Sequence, residues 1–429
     1  MTSHRRAGRE LRGPADQRTI RDHNLALVLQ HVAAAGESSR ARIAEGTGLN
    51  KTTVSSLVAE LMDRRLLRED GTRHDGAAGR PAVSVRLDDT RYVGVGMEIN
   101  VDYLAVAVVD LRGGVRDEQV VVDNFRHHTA EDSLARLSGL VADSLARLAA
   151  DGLVAVGADL ALPGLVDAER RRLLIAPNLG WRDLDAAALV EAGLAESGVA
   201  AAGLERGGWS VHVDNEANLG ALGERWEGAG TDLSDVIYVS GEVGVGAGII
   251  IGGELHRPRT GFGGEFGHMA LVPDGPPCSC GSRGCVETAV GLEATLRRAG
   301  LDVDEVMSAT GGATASGPAS TLADLAAQGD PAVREALEEV GGHLGVALAS
   351  AVNLLGPESV ILGGYFAALH PWLEPAISRE LSARVLGVAH RPISVRPSVL
   401  QRVAAVRGAA GQVIRGLLAD PSLTPRSAA

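Results

Sequence analysis

A chain of 429 residues, 45% hydrophobic and −13 in formal charge, is long enough for about three domain-sized units and apolar enough to give each a core. Its longest apolar runs, such as residues 243–253, fall short of the roughly 20 residues that cross a bilayer, and the early arginines have no apolar segment behind them. The three cysteines crowd between Cys278 and Cys285, which excludes a disulfide framework, so a cytoplasmic protein with no membrane partner is expected.

The charge is unevenly spread. Residues 1–86 hold 15 Lys+Arg against 10 Asp+Glu, a net of +5, and the remainder carries −18. A basic head on an acidic body is the asymmetry expected when one module meets nucleic-acid phosphate. Residues 1–17, rich in Arg and Gly, read as a disordered basic tail. From Arg18 to Ala35, Leu25, Val28, Leu29 and Val32 share one helical face, and Gly36 stops the helix. Ser39 caps a short helix from Arg40 to Thr47, and Gly48 makes a tight turn. Asn50 then caps a third helix to about Arg65, with Val54, Leu57, Val58 and Leu61 on one face.

Ala44, Gly48, Leu49, Val54 and Leu57 keep the small–glycine–apolar spacing of a helix-turn-helix, in which a small residue lets two helices cross closely. The outward positions Lys51, Thr52, Thr53, Ser55 and Ser56 suit base edges and phosphate. Lys51 is the only lysine of the chain. Gly79-Arg80-Pro81 falls in an expected wing between Leu67 and Ala82, where Arg80 would suit a narrow minor groove. Residues 82–87 alternate as a strand. Residues 18–88 therefore read as an α+β winged helix-turn-helix domain that binds operator DNA, and such domains bind as dimers or higher homo-oligomers.

Beyond residue 90 the texture changes. Tyr92–Met97, Leu104–Val109 and Val115–Val122 suggest an antiparallel meander, followed by a helix over Ser133–Ala149 and a buried strand Leu153–Leu160. A second such set runs through Val211–Val213, Val236–Val239, Gly248–Ile251, a long helix Pro331–Leu355 and a strand Ser359–Leu362. Two similar halves imply a two-lobed α/β body, with lobes at 91–208 and 209–418, a cleft between them and a frayed tail at 419–429.

His268, Cys278, Cys280 and Cys285 supply three thiolates and one imidazole. That set completes a tetrahedral shell for one structural zinc (Zn) per chain and leaves no position for a catalytic water. The run Cys278-Ser-Cys280-Gly281-Ser-Arg-Gly284-Cys285-Val-Glu287, preceded by Glu265-Phe-Gly267-His268, resembles the ROK family of repressors, unassigned reading frames and kinases. The resemblance covers about residues 20–415 and implies an actin-like sugar kinase/Hsp70 ATPase fold. It also implies that members with a winged helix-turn-helix are transcriptional regulators answering to sugars. Pro163-Gly164 resembles the turn beside the sugar, Pro177-Asn178-Leu179 with Trp181 a sugar-contacting segment, and Leu362-Gly363-Gly364 the adenosine loop. Sugar contacts carry over by resemblance to Asn178, Asn215, Glu216, Glu265, His268 and Glu287, whose amides, carboxylates and imidazole suit vicinal hydroxyls.

The departures from the kinase pattern argue against an enzyme. Glu216 stands where the kinases carry an aspartate base, and a shift of about 1 Å can cost on the order of 10²-fold in rate. The first phosphate loop, Asp-x-Gly-Gly-Thr in the family, is Glu98-Ile99-Asn100-Val101-Asp102 here; the second, Gly-Thr-Gly-x-Gly, is Glu242-Val243-Gly244-Val245-Gly246. Lost glycines and added carboxylates oppose a triphosphate. The expectation is no catalytic residue, no ATP, and a carbohydrate-gene repressor released from its operator by a sugar or sugar-phosphate effector. The alternatives are an active ATP-dependent sugar kinase with a fused DNA-binding head, and a metal sensor.

Overall fold

The computed structural model describes residues 17–73, 82–198, 210–258, 262–308 and 317–424. The basic tail before Gln17 and the wing arginine, Arg80, lie outside the described residues.

The head follows the expected order: α1 (Gln17–Ala35), β1 (Glu37–Ser39), α2 (Arg40–Thr47), α3 (Lys51–Asp63), β2 (Leu67–Arg73) and β3 (Ala82–Leu87). Its strands form an antiparallel sheet in the order β1-β3-β2. Local chemistry sets the helix ends. Ser39 Oγ accepts from the Arg42 amide, Gly48 is left-handed at φ +71°, and Asn50 Oδ1 accepts from the Thr53 amide at 2.8 Å. The third helix ends at Asp63, short of Arg65, because Arg65 turns to φ +59° and the Leu66 amide closes back on the Leu61 carbonyl. Leu25, Val28, Leu29, Val32, Ile43, Val54, Leu57, Val58 and Leu61 make the core.

The body repeats one plan twice. The first lobe contains β4 (Tyr92–Ile99), β5 (Tyr103–Asp110), β6 (Val115–Val122), α4 (Ala130–Ala150), β7 (Val154–Leu162), β8 (Leu165–Asp167), β9 (Arg172–Ala176), β10 (Trp181–Leu184), α5 (Ala186–Glu196) and β11 (Val211–Asn215). Then α6 (Glu216–Glu227) leads to the second lobe: β12 (Val236–Gly241), β13 (Val245–Ile251), β14 (Glu254–Leu255), α7 (Val286–Val290), α8 (Leu292–Arg298), α9 (Val303–Ser308), α10 (Pro318–Gln328), α11 (Pro331–Leu355), β15 (Ser359–Gly364), α12 (Tyr365–Arg384), β16 (Ser394–Pro397) and α13 (Ala404–Ala419). The large sheets run β11-β7-β4-β5-β6 and β14-β13-β12-β15-β16. In each, an antiparallel meander pairs through its first strand with a parallel strand, which pairs in parallel with the last. The small sheet β10-β9-β8 is an addition to the first lobe with no counterpart in the expected order.

Two expectations are corrected. The first concerns the lobe boundary: α13 falls in the sequence of the second lobe and packs on both, since Ala404, Ala405 and Ala409 share a core with Val236, Tyr238, Ile250 and Ile361. A side chain on Gly96 of β4 would come 1.9 Å from the Val406 carbonyl oxygen, and one on Gly408 would come 1.8 Å from that of Leu219 in α6. The backbones of α13, β4 and α6 therefore touch. The second concerns the tail: residues up to Thr424 are folded, not frayed. A 3-10 turn at Pro421–Leu423 follows α13, and Arg64 of the head donates to the carbonyls of Pro421 (3.4 Å) and Thr424. Ala410, Ile414 and Leu417 of α13 join the head's own core. Among the described residues no helix is long and apolar enough to cross a membrane.

Candidate functional site

Three groups of expected residues meet around the gap between the lobes, and a fourth lies on the head.

The cysteine loop is built on tight backbone. Ala270 bridges Cys285 and Pro277 bridges Arg283, so the chain folds back on itself between the cysteines. Gly281 and Gly284 take φ of +93° and +62°, and a side chain on Gly284 would lie 1.6 Å from the Val272 carbonyl oxygen, so no other residue fits. The turn gathers one donor atom each from His268, Cys278, Cys280 and Cys285 within 4.8 Å of one another. Cys280 Sγ and Cys285 Sγ are 3.8 Å apart, and Cys278 Sγ is 3.7 Å from His268 Nδ1. A tetrahedron with Zn–S bonds of about 2.3 Å has S···S edges of about 3.8 Å, so the donor set fits zinc in kind and in spacing. Burial pushes the Cys285 thiol up to about 12, with Cys278 and Cys280 adding to it; a bound cation reverses that cost by favouring thiolate.

Next to this loop the sugar candidates converge. Glu287, two residues after Cys285, accepts the Val245 amide on Oε2 at 3.0 Å and faces Ser279 and Cys278 with Oε1. Asn178, on the turn between β9 and β10, reaches the same spot from the other lobe. A side chain on Gly244 would meet Asn178 Nδ2 and Glu287 Oε2, each at 2.8 Å. Glu265 begins the short turn that carries His268, and its carboxyl is raised by burial and by Glu287, against the pull of His268. Asn215 is more committed than expected. Its Oδ1 caps α6 through the Ala217 and Asn218 amides, and its Nδ2 donates to the Gly164 carbonyl at 2.9 Å, which fixes the Pro163-Gly164 turn. Only the second Nδ2 hydrogen is left for a ligand.

Glu216 opens α6 beside a buried acidic group. Glu98, 1% exposed, accepts the Tyr103 hydroxyl at 2.6 Å on Oε1. Glu98 Oε2, Asp102 Oδ1 and Glu216 Oε2 are buried without a partner. Glu98, Glu216 and Glu242 line a cavity of about 10 Å³ between the lobes, together with Tyr103, Tyr238 and Arg402. Burial pushes Glu98 up to about 7 against its bonds from Tyr103 and Asn100, and pushes Glu216 up to about 8, with the charges of Glu98, Glu265 and Asp214 adding. Glu242 is raised well above the carboxylate range, chiefly by burial.

On the head, Lys51, Thr52, Ser55 and Ser56 are exposed along one side of α3 and Thr53 is half-buried. The Ser55 hydroxyl donates to the Lys51 carbonyl at 2.9 Å. Sequence reading missed Asp159, Arg257 and Gln412: behind Asn215, the exposed Arg257 donates to buried Asp214, and the half-buried Gln412 donates to buried Asp159. The one available signal was an aspartate inside the apolar run of β7.

Comparison with known proteins agrees with this layout. The family model described as the ROK family matches residues 94–415, and that of the IclR helix-turn-helix domain matches residues 24–71. The xylose repressor of Bacillus spizizenii is 30% identical over 407 residues, covering 94% of this chain and 98% of that protein. The DNA-binding transcriptional dual regulator NagC of Escherichia coli is 28% identical, covering 93% and 94%. Among solved structures, a ROK family transcriptional regulator described as a homologue of the E. coli Mlc protein superposes with a TM-score of 0.74 at 25% identity, covering 94% of this chain and 98% of that one. A ROK family glucokinase from Streptomyces griseus, solved with glucose and AMPPNP, superposes with a TM-score of 0.60 at 29% identity over 75% of this chain and 98% of its own.

Proposed function

Because the chain belongs to the ROK family, we propose that it is a sugar-responsive, DNA-binding transcriptional repressor in which a sugar-kinase fold serves as a sensor. The observation that carries this reading is likeness over 93–94% of the chain, head and body together, to proteins named xylose repressor and N-acetylglucosamine repressor. The Streptomyces griseus glucokinase covers 75% of the chain, against 94% for the xylose repressor.

The roles divide as follows. Lys51, Thr52, Thr53, Ser55 and Ser56 face operator DNA from α3, with Arg80 reaching the minor groove, and a pseudo-palindromic site is read by a homodimer or higher oligomer in the cytoplasm. Asn178, Glu216, Glu265, His268 and Glu287 contact the sugar's hydroxyls, and Asn215 holds the Pro163-Gly164 turn beside it while offering one N–H. A structural zinc is held by His268, Cys278, Cys280 and Cys285, where it neutralises thiolate charge and stiffens the loop. With Nδ1 turned to the cysteines, His268 keeps Nε2 for a sugar hydroxyl. Sugar bound between the lobes favours a different closure, and its differential affinity for the two states releases the DNA.

A second reading, an active sugar kinase, is favoured by the carboxyl retained at Glu216 and by the glucokinase fold. It is opposed by Glu98, Asp102 and Glu242 where phosphate would sit and by the narrowness of the space there. The test uses the full chain, a DNA duplex it selects from a random library, and D-xylose, D-glucose and N-acetyl-D-glucosamine. One sugar is expected to weaken duplex binding by about 5- to 150-fold in fluorescence anisotropy. Formation of ADP from ATP and any of these sugars would instead establish the kinase.

A further inference from the structure

We infer that Arg257, Asp214, Asp159 and Gln412 form a polar relay that carries effector occupancy from the gap between the lobes to the helix on which the DNA-binding head is mounted. The inference rests on the sugar-responsive reading above.

Arg257 follows β14 in the second lobe, on the segment that continues toward Glu265 and the cysteine loop. Its guanidinium crosses to the first lobe and donates to Asp214 Oδ2. Asp214 is the penultimate residue of β11, immediately before Asn215 and Glu216, and its Oδ1 accepts from the Asn215 amide at 2.8 Å and from Asn218 Nδ2 at 3.1 Å. On the neighbouring parallel strand, β7, Asp159 is paired with His212 and so lies diagonally from Asp214, two residues along on the same face; the two are 1% and 3% exposed. Asp159 Oδ2 accepts from Gln412 Nε2 at 2.6 Å, and its Oδ1 has no partner. One guanidinium, from the other lobe, thus bonds one of two neighbouring buried carboxyls and acts on the second only through its charge.

Such an arrangement has two states. With Arg257 in place the group is close to neutral, because burial and the Asp214 charge hold Asp159 protonated at neutral pH, pushed up to about 8. Withdrawal of Arg257 leaves Asp214 buried without its counter-charge, which is costly in low dielectric, so the local structure must rearrange. Gln412 links this carboxyl pair to α13 by its hydrogen bond to Asp159. It lies between Ala410 and Ile414, which pack in the core of the head with Leu25 and Leu29 of α1. The backbone of α13 has no slack against the first lobe, since side chains on Gly94 or Gly96 would strike the Ala410 and Val406 carbonyls at 2.6 and 1.9 Å. A shift of Gln412 therefore moves the helix and the head with it. None of these four residues touches the proposed DNA face. Gln412 and Asp159 are positioning residues that act through Asp214.

The experiment uses the full chain, the selected duplex and the same three sugars. Gln412→Ala and Asp159→Asn are compared with wild type for sugar affinity by calorimetry and for duplex affinity with and without saturating sugar. Both variants should keep sugar affinity and sugar-free duplex affinity within about twofold of wild type, while the ratio of duplex affinities without and with sugar falls toward one. Arg257→Gln should lower the same ratio, and Arg257→Gln combined with Gln412→Ala should lower it no further, a non-additivity that general loosening of the fold does not produce. Retention of the full wild-type ratio by both Gln412→Ala and Asp159→Asn would overturn the relay. If wild type answers none of the three sugars in either measurement, the sugar-responsive reading fails first and the relay falls with it, so the two failures are told apart in the wild-type protein alone.

Discussion

Lys51 stands exposed in the first turn of α3, where a cation is poorly placed for the helix dipole and well placed for phosphate. Lys51→Ala should weaken duplex binding and reduce the slope of log affinity against log salt by about 1, as anisotropy at several salt concentrations would report. An unchanged slope would remove Lys51 from the phosphate contacts. The buried carboxyls make a second prediction. Glu98 and Glu216 are raised in the folded chain to about 7 and about 8, so above the ordinary carboxylate range the folded state keeps protons that the unfolded state has released. The folded state binds more protons in that window, and stability must fall as pH rises from about 5 to 8. Each such carboxyl contributes up to about 1.4 kcal/mol per pH unit. Glu98→Gln keeps an acceptor for Tyr103 while removing the titration. Its melting temperature at pH 8 should exceed that of wild type, and its pH profile should be flatter; a steeper profile would contradict the assignment.

At the scale of elements, the cysteine loop and α13 depend on glycine for opposite reasons. Gly284 is needed for a turn: its left-handed backbone costs other residues about 1 kcal/mol or more, and a side chain would also strike the Val272 carbonyl. Gly284→Ala should therefore lower zinc content in elemental analysis and blunt the sugar response, with Glu265 and Glu287 displaced, before the far lobe loses stability. Cys280→Ser should act in the same direction by removing a ligand, and full zinc occupancy in both variants would exclude the site. Gly96 and Gly408 are needed for close packing, since they let α13 lie backbone to backbone on β4 and α6. Nothing local in a single sequence marks Gly96 and Gly408 as packing glycines, because the backbone each one meets is far away in the chain.

Across the whole molecule, the head is not a separate bead on a linker. Its core is continuous with α13, Tyr92 and Val109, and Arg64, 11% exposed, ties α3 to the C-terminal turn while pairing with Glu60. Hydrogen bonds to a charged donor are worth about 1.5–3 kcal/mol each, and their loss leaves a buried guanidinium short of acceptors. Deleting the chain from Asp420 onward should speed amide exchange in α1 and α3 by roughly tenfold or more for about 1.4 kcal/mol lost, and should weaken duplex binding. Exchange in α1 that matches the full chain would show that the turn is dispensable. The same continuity gives a reason for a charged body below a basic head: an acidic sensor of net −18 repels DNA phosphate and leaves the head as the face that approaches.

Much of this architecture was legible in order along the chain. Helix starts at Ser39 and Asn50, the turn at Gly48, the alternating and buried strands and the long helix over Pro331–Leu355 are local events, set by capping, φ and periodicity within a few residues. The cluster of His268, Cys278, Cys280 and Cys285 was legible because a metal demands rare residue types at short spacing. Four kinds of feature were not. The small sheet β8-β9-β10 was missed because its strands are short, and the contact of α13 with the first lobe was missed because nothing local says which sheet a helix will meet. The tail was taken as frayed because its partner, Arg64, is some 360 residues away. Asp159, Arg257 and Gln412 had no motif at all. Sequence by itself determined the elements, the histidine–cysteine cluster and the family likeness, since those depend on neighbours in the chain. Tertiary structure alone decided which charges share a buried space and which helix joins head to body, since both depend on desolvation and packing between residues that only folding brings together.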